Sequence, residues 1–383
     1  MDIIGAYRFF SGVCVASMEV YPMAFEMPEY RPPDFEGAPL ASAPDARLET
    51  VVKPGVAPEG FHATTIFPEY VKVEGAWMVA TESRMDSVIV VKDDATLEVR
   101  EFRSLEAGDR VVVGRSEDGS EGVLVHAGGF AYTEELSEAF AFRTGRTRET
   151  SYSMDYDRLY ELLKHERENG YIVWVAGPAV VFDYDSRNSM VSLIEGGFVH
   201  ALLAGNALAT HDLEAALFQT GLGQDIYTQR SSENGHYNHL DTLNKARAHG
   251  SSSALMESEK VDSGVVEACE RCGVAIVVAG SIRDDGPLPE TIADVYAAQD
   301  AMRAHTRRAT TVISLATQLH AIATGNMTPS YQVVDGTVRP VFIYVVDVSE
   351  FAVNKLRDRG TLEVISIVTN VQDFLVHLKR KLL

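Results

Sequence analysis

Tyr171–Gly177 reads YIVWVAG, and this run decides the fold. It carries no polar residue that would prefer water on either side, so a strand made from it is buried on both faces, as in parallel sheets. Similar runs recur downstream: FVHALLAG (Phe198–Gly205), VAIVVAG (Val274–Gly280), TTVISLA (Thr310–Ala316), VFIYVVD (Val341–Asp347) and LEVISIVTN (Leu362–Asn370). Helix-like segments lie between them. They include DYDRLYELLKHEREN ahead of the first run, Ser186–Glu195, NALATHDLEAALF, His239–Gly250, Ser263–Arg271, LPETIADVYAAQDAMRAH and VSEFAVNKLRD. Buried strands alternating with amphipathic helices predict an α/β fold, a Rossmann-like doubly wound parallel sheet spanning residues 153–383.

Upstream of that domain the texture changes. Between residues 61 and 152 short β-like runs (SVIVVK, Ser87–Lys92; LEVREF, Leu97–Phe102; RVVVG, Arg110–Gly114; GVLVHA, Gly122–Ala127) are separated by turn sequences such as KDDA and SEDGSEG. This spacing predicts a small antiparallel β domain. Residues 1–60 read as a Pro-rich arm: nine of the 14 prolines fall at or before Pro68, and Pro removes backbone donors and disfavours helix in its predecessor.

Composition narrows the class. A chain of 383 residues with 46% hydrophobic and 23% charged residues is an ordinary globular protein of more than one domain. Its net charge of −21 argues against nucleic acid and against an anionic membrane surface, both of which need positive potential. Three cysteines, Cys14, Cys269 and Cys272, form no disulfide framework and suit a reducing, cytoplasmic setting. The Cys269–Cys272 pair lacks further zinc ligands, and His236 with His239 lacks a carboxylate partner, so no metal is expected. No apolar run is long enough for a membrane helix, and no signal peptide is read at the N-terminus.

In parallel sheets ligands bind beyond the carboxyl ends of the strands. Three runs end in Ala-Gly: AGPAV (Ala176–Val180), AGNAL (Ala204–Leu208) and AGSIRDDGPLPE (Ala279–Glu290). ATGNMTPS (Ala323–Ser330) follows the fourth. Glycine there lets backbone approach a phosphate closely, or else serves tight turning alone. No GxGxxG or Walker A sequence occurs. Asp347 at the end of VFIYVVD could accept from an adenosine ribose or cap the following helix. The loop carrying Arg283, Asp284 and Asp285 could hold an amino-acid carboxylate and move a proton, or form a salt-bridged turn. His126, His211 and His320 each stand alone and read as packed or capping residues. HYNH reads as a helix start or a substrate contact.

Taken together, AGPAVV, LIEGGFVHALLAGNALATHDLEAALFQTGLG, GHYNHL, AGSIRDDGPLPE, LATQLHAIATGNM and KLRDRGTLEVISIVTNVQDFL resemble the archaeal-type ornithine cyclodeaminase family. The same module forms the C-terminal part of cyanobacterial bifunctional arginine dihydrolases and has been called a LOR/SDH conserved region. TTIFPEYVKVEGAWMVATESRMDSVIVV resembles the family's β subdomain, so the likeness covers about residues 61–383. The resemblance implies an NAD-dependent, redox-neutral conversion of L-ornithine to L-proline. Hydride would leave the α-carbon, the δ-amine would attack the resulting imine, ammonia would depart, and the hydride would return. It further implies NAD contacts at Gly177, Pro178, Ala179, Gly205, Asn206, Ala207, Gly280, Ser281, Gly325, Asn326, Met327 and Asp347. Catalytic roles would fall to Arg283, Asp284 and Asp285, substrate contacts to Thr64, Thr65, Asn238 and His239, and the expected assembly is a homo-oligomer.

Two departures bear on substrate. FDYDSRNS (Phe182–Ser189) stands where the family carries a His-Thr-Gly-Ala-Gly type run, and GRTRET (Gly145–Thr150) replaces a Ser-Ser-Glu-Arg-Pro type segment. Beside the cyclodeaminase reading, an amino-acid or imine oxidoreductase and a nucleotide-binding homologue without turnover therefore stay open.

Overall fold

The computed structural model describes residues 25–131, 153–284, 286–349 and 362–383. The helix expected at VSEFAVNKLRD and the segment GRTRET fall almost wholly outside them, as does Cys14. Seven strands make the β domain: β1 Arg47–Thr50, β2 Glu69–Val73, β3 Ala76–Val79, β4 Val88–Val91, β5 Leu97–Arg100, β6 Arg110–Val113 and β7 Val123–Val125. They form two antiparallel sheets, in the orders β1-β6-β4-β5 and β3-β2-β7. Ile89, Val91 and Val112 from one sheet meet Val71 and Val123 from the other in a common core. Strand β1 comes from the Pro-rich stretch, which also lays Phe35 on the Trp77 ring.

The larger domain begins with α1 (Ser153–Asn169) and β8 (Ile172–Ala176). It continues through α2 (Tyr184–Glu195), β9 (Ala201–Gly205), α3 (Asn206–Phe218), α4 (Asn238–His249), α5 (Ser252–Glu259), α6 (Val265–Cys272) and β10 (Ala275–Ala279). Then come α7 (Val295–Thr306), β11 (Thr311–Leu315), α8 (Gln318–Met327), the hairpin β12 (Tyr331–Val334) and β13 (Thr337–Pro340), β14 (Phe342–Asp347), β15 (Glu363–Val368) and α9 (Val371–Leu382). Six strands form one parallel sheet in the order β10-β9-β8-β11-β14-β15. Numbered along the chain this is 3-2-1-4-5-6, the dinucleotide-binding order.

Alternation within each strand feeds two cores. Ile172, Trp174, Leu202 and Ile313 face α1, α2 and α9 through Leu163, Leu193 and Phe374. Val173, Val175, Leu203 and Val312 face α7 and α8 through Met302 and Ala321. The hairpin β12–β13 sits where the sequence reading names no element, and it joins the domains. Tyr331 is fully buried; its hydroxyl donates to the Ala80 carbonyl and accepts from the Glu69 N–H.

FDYDSRNS is absorbed by the fold. Asp183 caps α2, and Arg187 forms a buried pair with Asp212 on α3, Nε to Oδ1 at 2.7 Å. The other Asp212 oxygen accepts the Val266 N–H of α6 at 2.8 Å. Gly264, at φ 126°, leaves room for this pair: a Cβ there would overlap the Arg187 guanidinium. Removing one member of a buried pair strands the other charge. Arg187→Met should therefore cost about 3–5 kcal/mol in urea denaturation, and Arg187→Met with Asp212→Leu should recover much of it. A loss below about 1 kcal/mol for the single variant would show the pair to be solvated.

Candidate functional site

At the carboxyl edge of the sheet, β8 and β11 are neighbours whose chains diverge. After β8 the chain passes through a 3₁₀ turn, Pro178–Val181, to α2 on one face; after β11 it enters α8 on the other. A crevice opens where the two part. The Gly177 N–H donates to the Leu315 carbonyl at 2.8 Å, and a Cβ on Gly177 would collide with the Ala316 carbonyl oxygen. At the end of β9, a Cβ on Gly205 would lie 2.8 Å from His320 Cε1. At the end of β10, one on Gly280 would lie 3.0 Å from the Ile292 carbonyl. Each of the three glycines thus admits a close neighbour from a distant part of the chain.

Helix N-termini supply the donors of this edge. That of α2 is already filled: Asp183 Oδ1 accepts from the Asp185 and Ser186 N–H groups, both at 3.0 Å. Those of α3 and α8 begin at Gly205 and Thr317 and have no side-chain cap. Asn206 is committed to the loop after β10, its Oδ1 accepting from the Leu288 N–H at 3.0 Å and from Thr291 and Thr210. Pro178, Ala179, Ala207 and Ser281 stay partly or fully exposed at the same edge.

Ser281–Asp284 is a self-capped turn. Asp284 Oδ2 accepts from the Ser281 N–H at 2.8 Å and Ser281 Oγ from the Arg283 N–H at 3.1 Å. Arg283 points into solvent, and Asp285 lies outside the described residues. Asp347 ends β14 and accepts from the Ser349 N–H at 2.8 Å, so it caps the chain that follows. Gly325, Asn326 and Met327 close the far end of α8, roughly 10 Å along its axis from Gln318. There the Asn326 carbonyl accepts from Arg84 of the β domain at 2.6 Å.

Thr64 and Thr65 belong to the β domain. The Thr64 hydroxyl accepts from the Ser87 N–H, and Thr65 donates its N–H to the buried Glu69, which also contacts His62 Nε2 at 3.2 Å. Asn238 and His239 open α4 beside a second polar cluster. Asn238 donates to Thr220 Oγ1 at 2.8 Å, Thr220 donates to Glu214 at 2.7 Å, and His211 Nδ1 contacts the other Glu214 oxygen at 2.7 Å. Burial alone would push the Glu214 carboxyl up; His211, Thr220 and the Gly223 N–H outweigh it and hold it below the usual range. Among the described residues His239 Nδ1 is buried without a hydrogen-bond partner beside His211, ring centroids 6.0 Å apart. Among the described residues no group of three His, Cys, Asp or Glu could hold a metal.

His320 is the site residue that its isolation in the sequence conceals. Its position, early in the helix after a buried strand, is the signal that could have placed it here. It stands in the first turn of α8, lies over Gly205, and has no hydrogen-bond partner among the described residues. Burial pushes its pKa down, with the Asp284 charge partly opposing the shift.

Two family profiles match this chain. One, "Arginine dihydrolase ArgZ-like, C-terminal, Rossmann fold", covers residues 158–378, and the companion "first region" covers 68–147. An ornithine cyclodeaminase of Methanocaldococcus jannaschii is 37% identical over 355 residues, spanning 90% of this chain and 80% of that protein. AgrE of Nostoc, a bifunctional arginine dihydrolase/ornithine cyclodeaminase, is 34% identical over 88% of this chain and 47% of its own length. A crystal structure of a conserved LOR/SDH protein from Methanococcus maripaludis superposes with a TM-score of 0.77 at 34% identity, covering 88% of this chain and 98% of that one. A ternary complex of AgrE with ornithine and NAD+ gives a TM-score of 0.53 at 33% identity, covering 89% of this chain and 46% of that one.

Three histidines, His200, His305 and His320, have pKa values lowered chiefly by burial. As pH falls through about 6.5 the unfolded chain takes up protons that the folded chain refuses, so stability present above that pH is lost below it. The denaturation midpoint should drop between roughly pH 7 and 5.5, and His320→Gln should remove part of the slope. A midpoint flat across that window contradicts the burial of these rings.

Proposed function

The chain belongs to the ornithine cyclodeaminase family that shares the ArgZ-like C-terminal module, and we propose from this that it binds NAD and converts L-ornithine to L-proline with release of ammonia. One observation carries the reading. A sheet of order 3-2-1-4-5-6, glycine-ended where its chains diverge, is built by a sequence that aligns over nine-tenths of its length with ornithine cyclodeaminases.

The residues at the crevice fit a dinucleotide. Two uncapped helix N-termini, α3 and α8, offer N–H donors to phosphate, while the filled N-terminus of α2 does not. Gly177, Pro178 and Ala179 form the floor between the halves. Gly205 and Ala207 line the side of strands 2 and 3 together with Gly280 and Ser281, and Asp347 stands on the side of strands 5 and 6. A nicotinamide held by these residues would supply a reversible hydride acceptor, which suits a conversion with no net redox change.

The chain's own task is placement and charge. Asp347, which accepts from the Ser349 N–H, sets a carboxylate on the side of strands 5 and 6, where it would attract a cationic amino acid. The β domain is joined to the far end of α8 through Arg84 and the Asn326 carbonyl. Gly325–Met327 thereby serve the joint between domains. No helix of the described residues is long and apolar enough to cross a membrane.

Stoichiometry tests the reading. Purified protein given L-ornithine and catalytic NAD should yield proline and ammonia one for one with no accumulation of NADH. Net NADH would convert the assignment to an oxidoreductase. If NAD neither binds nor raises the melting temperature, the protein is not a nicotinamide enzyme, because a ligand of the folded state stabilises it.

A further inference from the structure

The proposed conversion neither consumes nor yields protons, since L-ornithine with both amines protonated gives proline and ammonium. Two nitrogens nevertheless change protonation on the way. The δ-ammonium must lose a proton before it can attack, and the α-nitrogen must gain one before it leaves. One group that takes the first proton and returns it to the second serves this exchange of amines. An imidazole does so when a carboxylate holds one of its nitrogens and the other is free.

Helix α3 carries such a pair. Ala207, exposed at the carboxyl edge, is followed on the same face by His211 and Glu214, four and seven residues further on. Glu214 is fully buried and accepts from His211 Nδ1 and Thr220 Oγ1, both at 2.7 Å, and from the Gly223 and Leu222 N–H groups at 3.0 and 3.2 Å. Among the described residues no Lys or Arg pairs with it, so His211 is its one ionisable partner. Pinning the chain after α3 needs the carboxylate alone; the imidazole adds nothing to that. With Nδ1 donating to Glu214, Nε2 is the ring nitrogen left to exchange a proton, and it has no hydrogen-bond partner among the described residues.

The surroundings of His211 suit an amine. The ring lies about 6 Å along α3 from Ala207. It stands edge-on to Phe182, ring centroids 5.4 Å apart, and Phe182 directly follows the turn Pro178–Val181 at the crevice floor. From the other side α4 brings His239, its buried Nδ1 also without a partner among the described residues, to a centroid distance of 6.0 Å. Two imidazoles with a carboxylate behind one of them, and no cation, favour a primary ammonium group. We propose that His211, oriented by Glu214, takes a proton from the substrate's δ-nitrogen and returns it to the departing α-nitrogen, with His239 beside the amine. The δ-nitrogen, having given up that proton, bonds to the α-carbon of the imine. The α-nitrogen takes the proton from His211 Nε2, its bond to carbon breaks, and ammonia leaves without any electron passing to the protein. The inference rests on the cyclodeaminase reading above and adds its acid–base group.

The test compares proline formation, NADH binding by fluorescence and melting temperature in the full chain and three variants. Glu214→Gln keeps an acceptor for Thr220 and the Gly223 N–H but turns an amide donor toward Nδ1, which moves the ring proton to Nε2. It should lower kcat about 100-fold or more while KM for ornithine and affinity for NADH change less than about 3-fold. His211→Ala should lose kcat to a similar extent and recover about 10-fold or more with added imidazole. Gln229→Ala releases the chain after α3 from the Phe182 carbonyl without touching the pair, and should keep its kcat. An unchanged kcat in Glu214→Gln, or a loss in Gln229→Ala equal to that in Glu214→Gln, makes the cluster structural and overturns the inference while the cyclodeaminase reading stands. If Glu214→Gln does not fold, His211→Ala decides, and activity that imidazole fails to raise overturns the inference. No proline from the unaltered protein removes both readings.

Discussion

The approach of Gly177 to the Ala316 carbonyl is the contact on which the carboxyl edge depends. Strands 1 and 4 must lie side by side for the sheet to be continuous, yet their chains leave toward opposite faces. A side chain at Gly177 would wedge the two exits apart and move α2 and α8 with them. Every other element of the crevice is set from that point. The α8 exit places His320 over Gly205, and the loop after strand 3 runs beside Gly280.

Phosphate binding in this fold ordinarily falls to the helix after strand 1. In this chain Asp183 occupies that N-terminus, and the open donors belong instead to the helices after strands 2 and 4. The residues that depart from the family's run, Phe182 to Ser189, therefore supply a cap and a buried ion pair. Their effect is to fill the N-terminus of α2 with a carboxylate. The Arg187–Asp212 pair that fixes α2 against α3 and α6 also fixes the direction from which α3 presents its own N-terminus.

The parallel sheet was legible because its central strands are buried on both faces and so are written as mostly apolar runs, three of the six runs closing on Ala-Gly. The β domain was legible from alternation and turns. What could not be read was anything whose partner lies far along the chain. Arg187 is explained only by Asp212 and Gly264, His320 only by Gly205, and Asn206 only by Leu288. The hairpin Tyr331–Pro340 was hidden for the same reason, since the apolar contacts that justify it lie with Phe130 and other residues of the β domain. Long-range charge did the rest. Arg84, Glu101 and Arg303 join the domains in a half-buried network, where burial and the neighbouring Arg84 push the Arg303 guanidinium down to about 10 against the pull of Glu101. No local pattern announces such a network.

The loop after strand 3 has a second occupation. Strand β10 is the edge of the parallel sheet, and its last residues pair with Ile292: the Gly280 N–H donates to the Ile292 carbonyl, and the Ile292 N–H to the Val278 carbonyl. The same loop is pinned at Leu288 by the Asn206 side chain. An unpaired edge is a template for another strand, so this loop is a guard against self-association as well as a wall of the crevice. One amide thus holds the cover over the end of the edge strand. Any change that frees the loop from Asn206 also loosens the cover at the end of an apolar edge strand, and has to be judged first by whether the protein remains dispersed.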